Sequence, residues 1–145
     1  MDNLKEQGMQ RISDEEDQVS VLVIENEKDI RLLLADILTS GGHRVASASD
    51  GREALQIFKE DYFDVVLTDL GMPAMSGWEV ASTIKKMAPE VIVVIITGWG
   101  SQLDHRELEK NGVDMVVSKP FRVSQILNLV QEAREIKSRM QQGRA

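Results

Sequence analysis

Four apolar runs in this chain each end on a group that can handle a phosphate or a cation. Val19 to Ile24 runs into Glu25-Asn26-Glu27, and Val65-Val66-Leu67-Thr68 runs into Asp69, with Leu70-Gly71-Met72-Pro73 behind it. Val91 to Ile96 leads to Thr97-Gly98-Trp99-Gly100, and Met115 to Val117 leads to Ser118-Lys119-Pro120. Glu25, Asp69 and the Asn26 amide oxygen are donors that suit a hard divalent cation such as Mg²⁺, which keeps several waters of its own. Lys119 carries a compact positive charge and Thr97 a hydroxyl donor, both suited to phosphate oxygens. Gly71 and Gly98 have no side chain to keep a backbone N–H from an anion. Brought together, these groups describe phosphoryl transfer to a carboxylate, a reaction governed by positioning and charge neutralisation.

Taken singly, each has a plainer reading. Asp69 can be a loop carboxylate that caps the next helix, and Glu25 and Glu27 can be acids favoured at a helix N-terminus, Glu27 especially. Lys119-Pro120 can be only a turn, with a cis bond as one option. The choice rests on whether the fold gathers the four run ends at one place.

The elements that would do so are legible. Val19 to Ile24 reads as a first strand. Ile30, Leu33, Leu34, Ile37 and Leu38 follow at helical spacing as a buried stripe, closed by Gly41-Gly42, with Lys28, Arg31 and Asp36 on a solvated face. Arg44 to Ala48 is a weaker second strand, and Asp50 caps a helix through Ala54, Leu55 and Phe58. The strand ending at Asp69 comes next. Ser76 caps a helix whose buried stripe is Val80, Ala81, Ile84 and Met87, with Pro89 marking its end. Val91 to Ile96 is apolar throughout, as in a strand covered on both faces. Ser101 to Asn111 is a polar helix held by little more than Leu103 and Leu108, hence loosely. After the strand at Met115 to Val117, a last helix carries Val123, Ile126, Leu127, Val130 and Ala133 and runs to Met140. Alternating strands and helices without repeats predict an α/β, doubly wound parallel sheet of flavodoxin-like (βα)5 type, strand order 2-1-3-4-5. That order sets Glu25 and Asn26 beside Asp69.

Composition narrows the class. A chain of 145 residues accommodates one domain: residues 1–17 read as a polar linker or tail, 18–140 as the folded domain and 141–145 as a disordered end. The lack of cysteine excludes disulfides, thiolate zinc sites and a cysteine nucleophile. A net charge of −7 argues against a general nucleic-acid surface. No apolar run approaches the roughly 18 to 20 residues of a membrane span, and the N-terminus lacks a signal-peptide core. The expected setting is cytoplasmic, without membrane insertion.

Residues 19 to 136 resemble the receiver domain of the two-component response-regulator family. The resemblance rests on Val23-Ile24-Glu25-Asn26-Glu27, on Leu67-Thr68-Asp69-Leu70-Gly71-Met72-Pro73-Ala74-Met75-Ser76-Gly77, on Ile96-Thr97-Gly98 and on Ser118-Lys119-Pro120-Phe121. It implies that Asp69 is the phospho-acceptor, that Thr97 and Lys119 bind the phosphoryl group, and that the Gly71 carbonyl completes a Mg²⁺ shell with Glu25, Asn26 and Asp69. It further implies a histidine kinase or phosphotransfer domain as donor, a downstream protein as target, and a switching surface of helix four, strand five and helix five. Such a domain catalyses only its own phosphotransfer and dephosphorylation. Gly77-Trp78-Glu79-Val80 and Thr97-Gly98-Trp99-Gly100 resemble receivers of hybrid sensor kinases, so a stand-alone protein and a fragment of a larger one both stay open.

Two departures from the family pattern stand out. Asn26 replaces the second of two adjacent acids, which takes a negative charge from the cation site and weakens its hold on Mg²⁺. Val116 stands where the family often has an aromatic switch residue, leaving Trp99 as a gate, a packing group or an exposed partner contact. A receiver-like binding module that works without phosphorylation is the competing reading. A flavodoxin-like cofactor binder is disfavoured, because acidic Glu25 and Glu27 sit where a phosphate would lie. His43 and His105 have no motif around them and are not assigned a phosphoryl role.

Overall fold

Alternate residues of each central strand face opposite sides of a single parallel sheet, and this period of two builds two cores. The computed structural model describes residues 18–98 and 102–142; residues 1–17, expected to be a linker or tail, Trp99 and the last three residues lie outside them. The elements are β1 (Ser20–Ile24), α1 (Lys28–Ser40), β2 (Arg44–Ala48), α2 (Gly51–Glu60), β3 (Val65–Asp69), α3 (Gly77–Met87), β4 (Ile92–Thr97), α4 (His105–Lys110), β5 (Met115–Ser118) and α5 (Val123–Gln142). The strand order is β2-β1-β3-β4-β5, as expected from the sequence. Val21, Val23, Leu67, Val94 and Ile96 face α1 and α5, where they meet Leu34, Leu38, Ile126 and Val130. Leu22, Ile24, Val66 and Val93 face α2 and α3, where they meet Ala54, Phe58, Val80 and Ile84. The flanking strands β2 and β5 are only half-buried, as edges of such a sheet are.

Three expected core positions are exposed instead. Leu33 lies about 100° around α1 from Leu34, at the rim of the buried arc, and is 48% exposed. Met87 and Val123 are the last residue of α3 and the first of α5, where the helices overhang the sheet, and both are exposed. Leu129, absent from the expected stripe, is buried. Helix α5 continues past Met140 to Gln142. The caps behave as expected: Asp50 accepts the Glu53 N–H, and Ser76 accepts the Glu79 N–H. Helix α4 spans six residues, none of them buried.

The N-terminal edge of the sheet is closed by side chains that stand immediately before a strand. His43 Nδ1 accepts the Val19 N–H at 3.1 Å, Asp64 Oδ2 the Ser20 N–H at 2.9 Å, and Asp114 Oδ2 the Val93 N–H at 2.8 Å. Each satisfies an N–H that the neighbouring strand cannot reach with its own carbonyls. His43 therefore has a structural use. Asp64 also binds Lys137 of α5 at 2.8 Å and the Tyr62 hydroxyl at 2.9 Å, and Lys137 in turn contacts that hydroxyl. Burial pulls Lys137 below the usual lysine range. Replacing Asp64 with alanine would strip Lys137 of its counter-charge and Ser20 of its acceptor. Urea unfolding of Asp64→Ala is expected to show a loss of about 3 kcal/mol.

Candidate functional site

At the opposite edge the strands end in carbonyls, and the charged side chains point at one another. Glu25 follows β1 directly and is 1% exposed, yet each of its polar atoms is engaged. Its N–H donates to the Ala48 carbonyl at 3.1 Å, and its own carbonyl accepts from Arg31 Nη1 at 2.8 Å. In the side chain, Oε1 accepts the Glu27 N–H at 3.1 Å and Oε2 lies 3.3 Å from Lys119 Nζ. Asp69 closes β3, with Oδ1 accepting the Leu70 N–H at 2.9 Å and lying 3.4 Å from the same Lys119 ammonium. Neither contact uses Oδ2.

Lys119 reaches both carboxylates from β5, two strands away from β3. Its backbone N–H is pegged to the Thr97 carbonyl at 2.9 Å, and the Lys119-Pro120 peptide is cis. Thr97 is buried on β4, one residue beyond Ile96, which pairs with Asp69. Asn26 is exposed and borders a hollow that it shares with Asp50 and Pro73. Among the described residues beyond the chain neighbours, none would lie within 4 Å of a methyl group on Gly71 or Gly98. The fold thus brings Glu25, Asp69 and Lys119 together, with Thr97 at the adjoining strand end, and leaves Asn26, Gly71 and Gly98 exposed. His105 is exposed on α4, and the Trp99 reading falls outside the described residues.

Burial raises Glu25 above the ordinary carboxylic-acid range, and the nearby Asp69 charge adds to this. The Glu27 N–H and the Lys119 ammonium pull in the other direction. A raised folded-state pKa means that the stabilising protonated form is present below 4.5 and is lost as pH rises through the folded value. In metal-free buffer, the unfolding free energy of the wild type should therefore fall relative to that of Glu25→Gln between about pH 4.5 and pH 7.

Two contributors escape a reading of the sequence. Arg31, expected on a solvated face, is half-buried against the Glu25 carbonyl. Its signal was a basic residue near a helix N-terminus, where the macrodipole disfavours one. Gly77 opens α3 with its N–H on the Leu70 carbonyl at 2.8 Å. A Cβ there would clash with the Asp69 carbonyl oxygen and lie 2.9 Å from Leu70 Cα, both backbone atoms. Its signal was a poor helix former at a first helical position. Gly77→Ala is expected to displace α3 from the strand end and to lower stability by about 1–3 kcal/mol in thermal melts.

Among the described residues, no trio of His, Cys, Asp or Glu side chains is grouped to hold a metal. The donor chemistry still fits a hard cation with few protein ligands: two carboxylates, an amide and nearby carbonyls. It is a fit of low negative charge.

The profile of the response regulator receiver domain matches residues 21–131, so the chain belongs to that family and to two-component signalling. It is 33% identical over 108 residues to the chemotaxis protein CheY of Thermotoga maritima, covering 74% of this chain and 90% of that one. It is 31% identical over 110 residues to the sensor histidine kinase RcsC of Salmonella typhimurium, covering 76% of this chain and 12% of the kinase. A receiver domain protein of Clostridium thermocellum superposes with a TM-score of 0.78 at 31% identity, covering 84% and 98% of the two chains. The chain spans less than half the length of several other curated relatives. No helix among the described residues is long and apolar enough to cross a membrane.

Proposed function

We propose that this receiver takes a phosphoryl group onto Asp69 from the phosphohistidine of a histidine kinase or phosphotransfer domain. The observation that carries the reading is the single Lys119 ammonium held between Glu25 and Asp69, at 3.3 and 3.4 Å, with the Lys119 backbone N–H on the carbonyl of buried Thr97. A carboxylate oxygen of Asp69 forms the O–P bond as the N–P bond of the donor breaks, and that bond's electron pair returns to the imidazole nitrogen. Oδ2 is the oxygen suited to attack, since Oδ1 is held by Leu70 and Lys119. Glu25, Asn26, Asp69 and the Gly71 carbonyl would hold Mg²⁺, whose charge, when bound, offsets that of the phosphoryl oxygens. Gly71 and Gly98 carry no side chain to keep a backbone N–H from those oxygens.

After transfer, Lys119 and Thr97 turn to the phosphoryl oxygens, and an equilibrium shifts at the surface of α4, β5 and α5. The absence of buried residues in α4 supports this choice of moving element. So does a hollow between α4 and β5 lined by Leu103, Leu108 and Val116. A kinase or phosphotransfer domain, a downstream protein target and a cytoplasmic setting follow from the same reading.

Intact mass after treatment with acetyl phosphate and Mg²⁺ tests the proposal. The wild type should gain one phosphoryl group and Asp69→Asn none, while Asn26→Asp should need about tenfold less Mg²⁺ for the half-maximal rate. Beryllofluoride should change amide exchange in α4 and β5. A wild type left unmodified, where a control receiver is modified, would overturn the reading.

A further inference from the structure

We infer that Arg31 is a positioning residue for the cation site: by holding the Glu25 carbonyl, its guanidinium fixes the Glu25–Asn26 peptide and so the direction of both oxygen donors. The inference rests on the reading above and extends it to a residue outside the ligand set. The Glu25 carbonyl belongs to a residue 1% exposed, at a place where the sheet ladder has run out. The N–H of Glu25 is taken by Ala48 and its two carboxylate oxygens by Glu27 and Lys119. The carbonyl alone needs a donor from outside the sheet, and Arg31 supplies it at 2.8 Å. Without that donor the peptide gains by rotating its oxygen toward water, because a buried unpaired carbonyl is costly.

The Glu25 carbonyl and the Asn26 N–H are two ends of one rigid plane. Rotating it changes ψ of Glu25 and φ of Asn26 together and resets the course of the chain into the turn, from which the Asn26 amide projects and the Glu27 N–H holds the Glu25 carboxylate. The helix holds the other end of the strut, since the Arg31 N–H donates to the Glu27 carbonyl at 2.9 Å. Arg31 therefore spans the β1–α1 turn, from the first hydrogen bond of α1 to the last residue before the turn. A second possible action of Arg31 has the opposite sign: a positive charge beside a cation site weakens it, so removing that charge alone would tighten Mg²⁺ binding.

The test compares wild type, Arg31→Met and Arg31→Lys without a phosphodonor. Mg²⁺ dissociation constants are read from tryptophan fluorescence, and metal-free backbone amide resonances from NMR. Arg31→Met is expected to weaken Mg²⁺ by roughly tenfold or more, and to move the Asn26 and Glu27 amide resonances. Arg31→Lys, which keeps a donor, should recover much of both. A lowered melting temperature with unchanged Mg²⁺ affinity and unmoved Asn26 and Glu27 resonances would overturn the inference and leave Arg31 a purely structural residue. Tighter Mg²⁺ binding in Arg31→Met would also overturn it. If the wild type binds no Mg²⁺, the phosphorylation reading fails separately, and the metal-free resonances still decide whether Arg31 sets the turn.

Discussion

Two carboxylates stand at the ends of neighbouring strands, one of them almost without solvent, and a single ammonium keeps them together. The Asp69 charge adds to the burial that raises the proton affinity of Glu25, and among the described residues only Lys119 supplies an opposing charge within 3.4 Å of both. The lysine starts from β5, so it must reach past β4 to arrive. That reach exists only because the order β2-β1-β3-β4-β5 puts β1, β3 and β5 in range at one edge, and because the Lys119 N–H is fixed to Thr97. Sheet order, strand-end chemistry and the balance of charge are thus one constraint. Under the proposed phosphotransfer, an anion arriving at Asp69 would compete for the same ammonium.

The two edges of the sheet divide the polar residues by a simple rule. A parallel sheet begins in surplus N–H groups and finishes in surplus carbonyls. The beginning recruits acceptors, and His43, Asp64 and Asp114 fill that need. The finish recruits donors: Arg31 for Glu25, the Thr68 hydroxyl for Asp69, and the Gly77 N–H for Leu70. An acid at the first edge is consumed by the backbone. An acid at the second has far less backbone to serve and stays open to a ligand, which is why Asp64 is structural and Asp69 is a candidate for chemistry.

Much of this was legible in the residues. Long apolar runs gave the strands, Gly and Pro gave their ends, and the polar residue at each end gave the convergence at Asp69. Less legible was everything that depends on rotation or distant partners. Leu33 and Leu34 fit a helical stripe equally well until the seating of α1 on the sheet decides between them. The Lys137 contact with Tyr62 and Asp64 joins segments far apart in the chain, and no local pattern announces it. Arg31 looked like ordinary surface charge because its partner is a backbone carbonyl, which has no sequence signature.

Helix α4 contributes no buried residue, and this has an effect on how such a domain can change over generations. Substitutions on an exposed face away from caps and cores typically alter folding free energy by about 0.5 kcal/mol or less in either direction. The face of α4 can therefore be rewritten while the sheet, the strand-end charges and Asp69 stay as they are. The surface chemistry of α4 and folding stability are held in different residues, so selection can act on one with little penalty in the other.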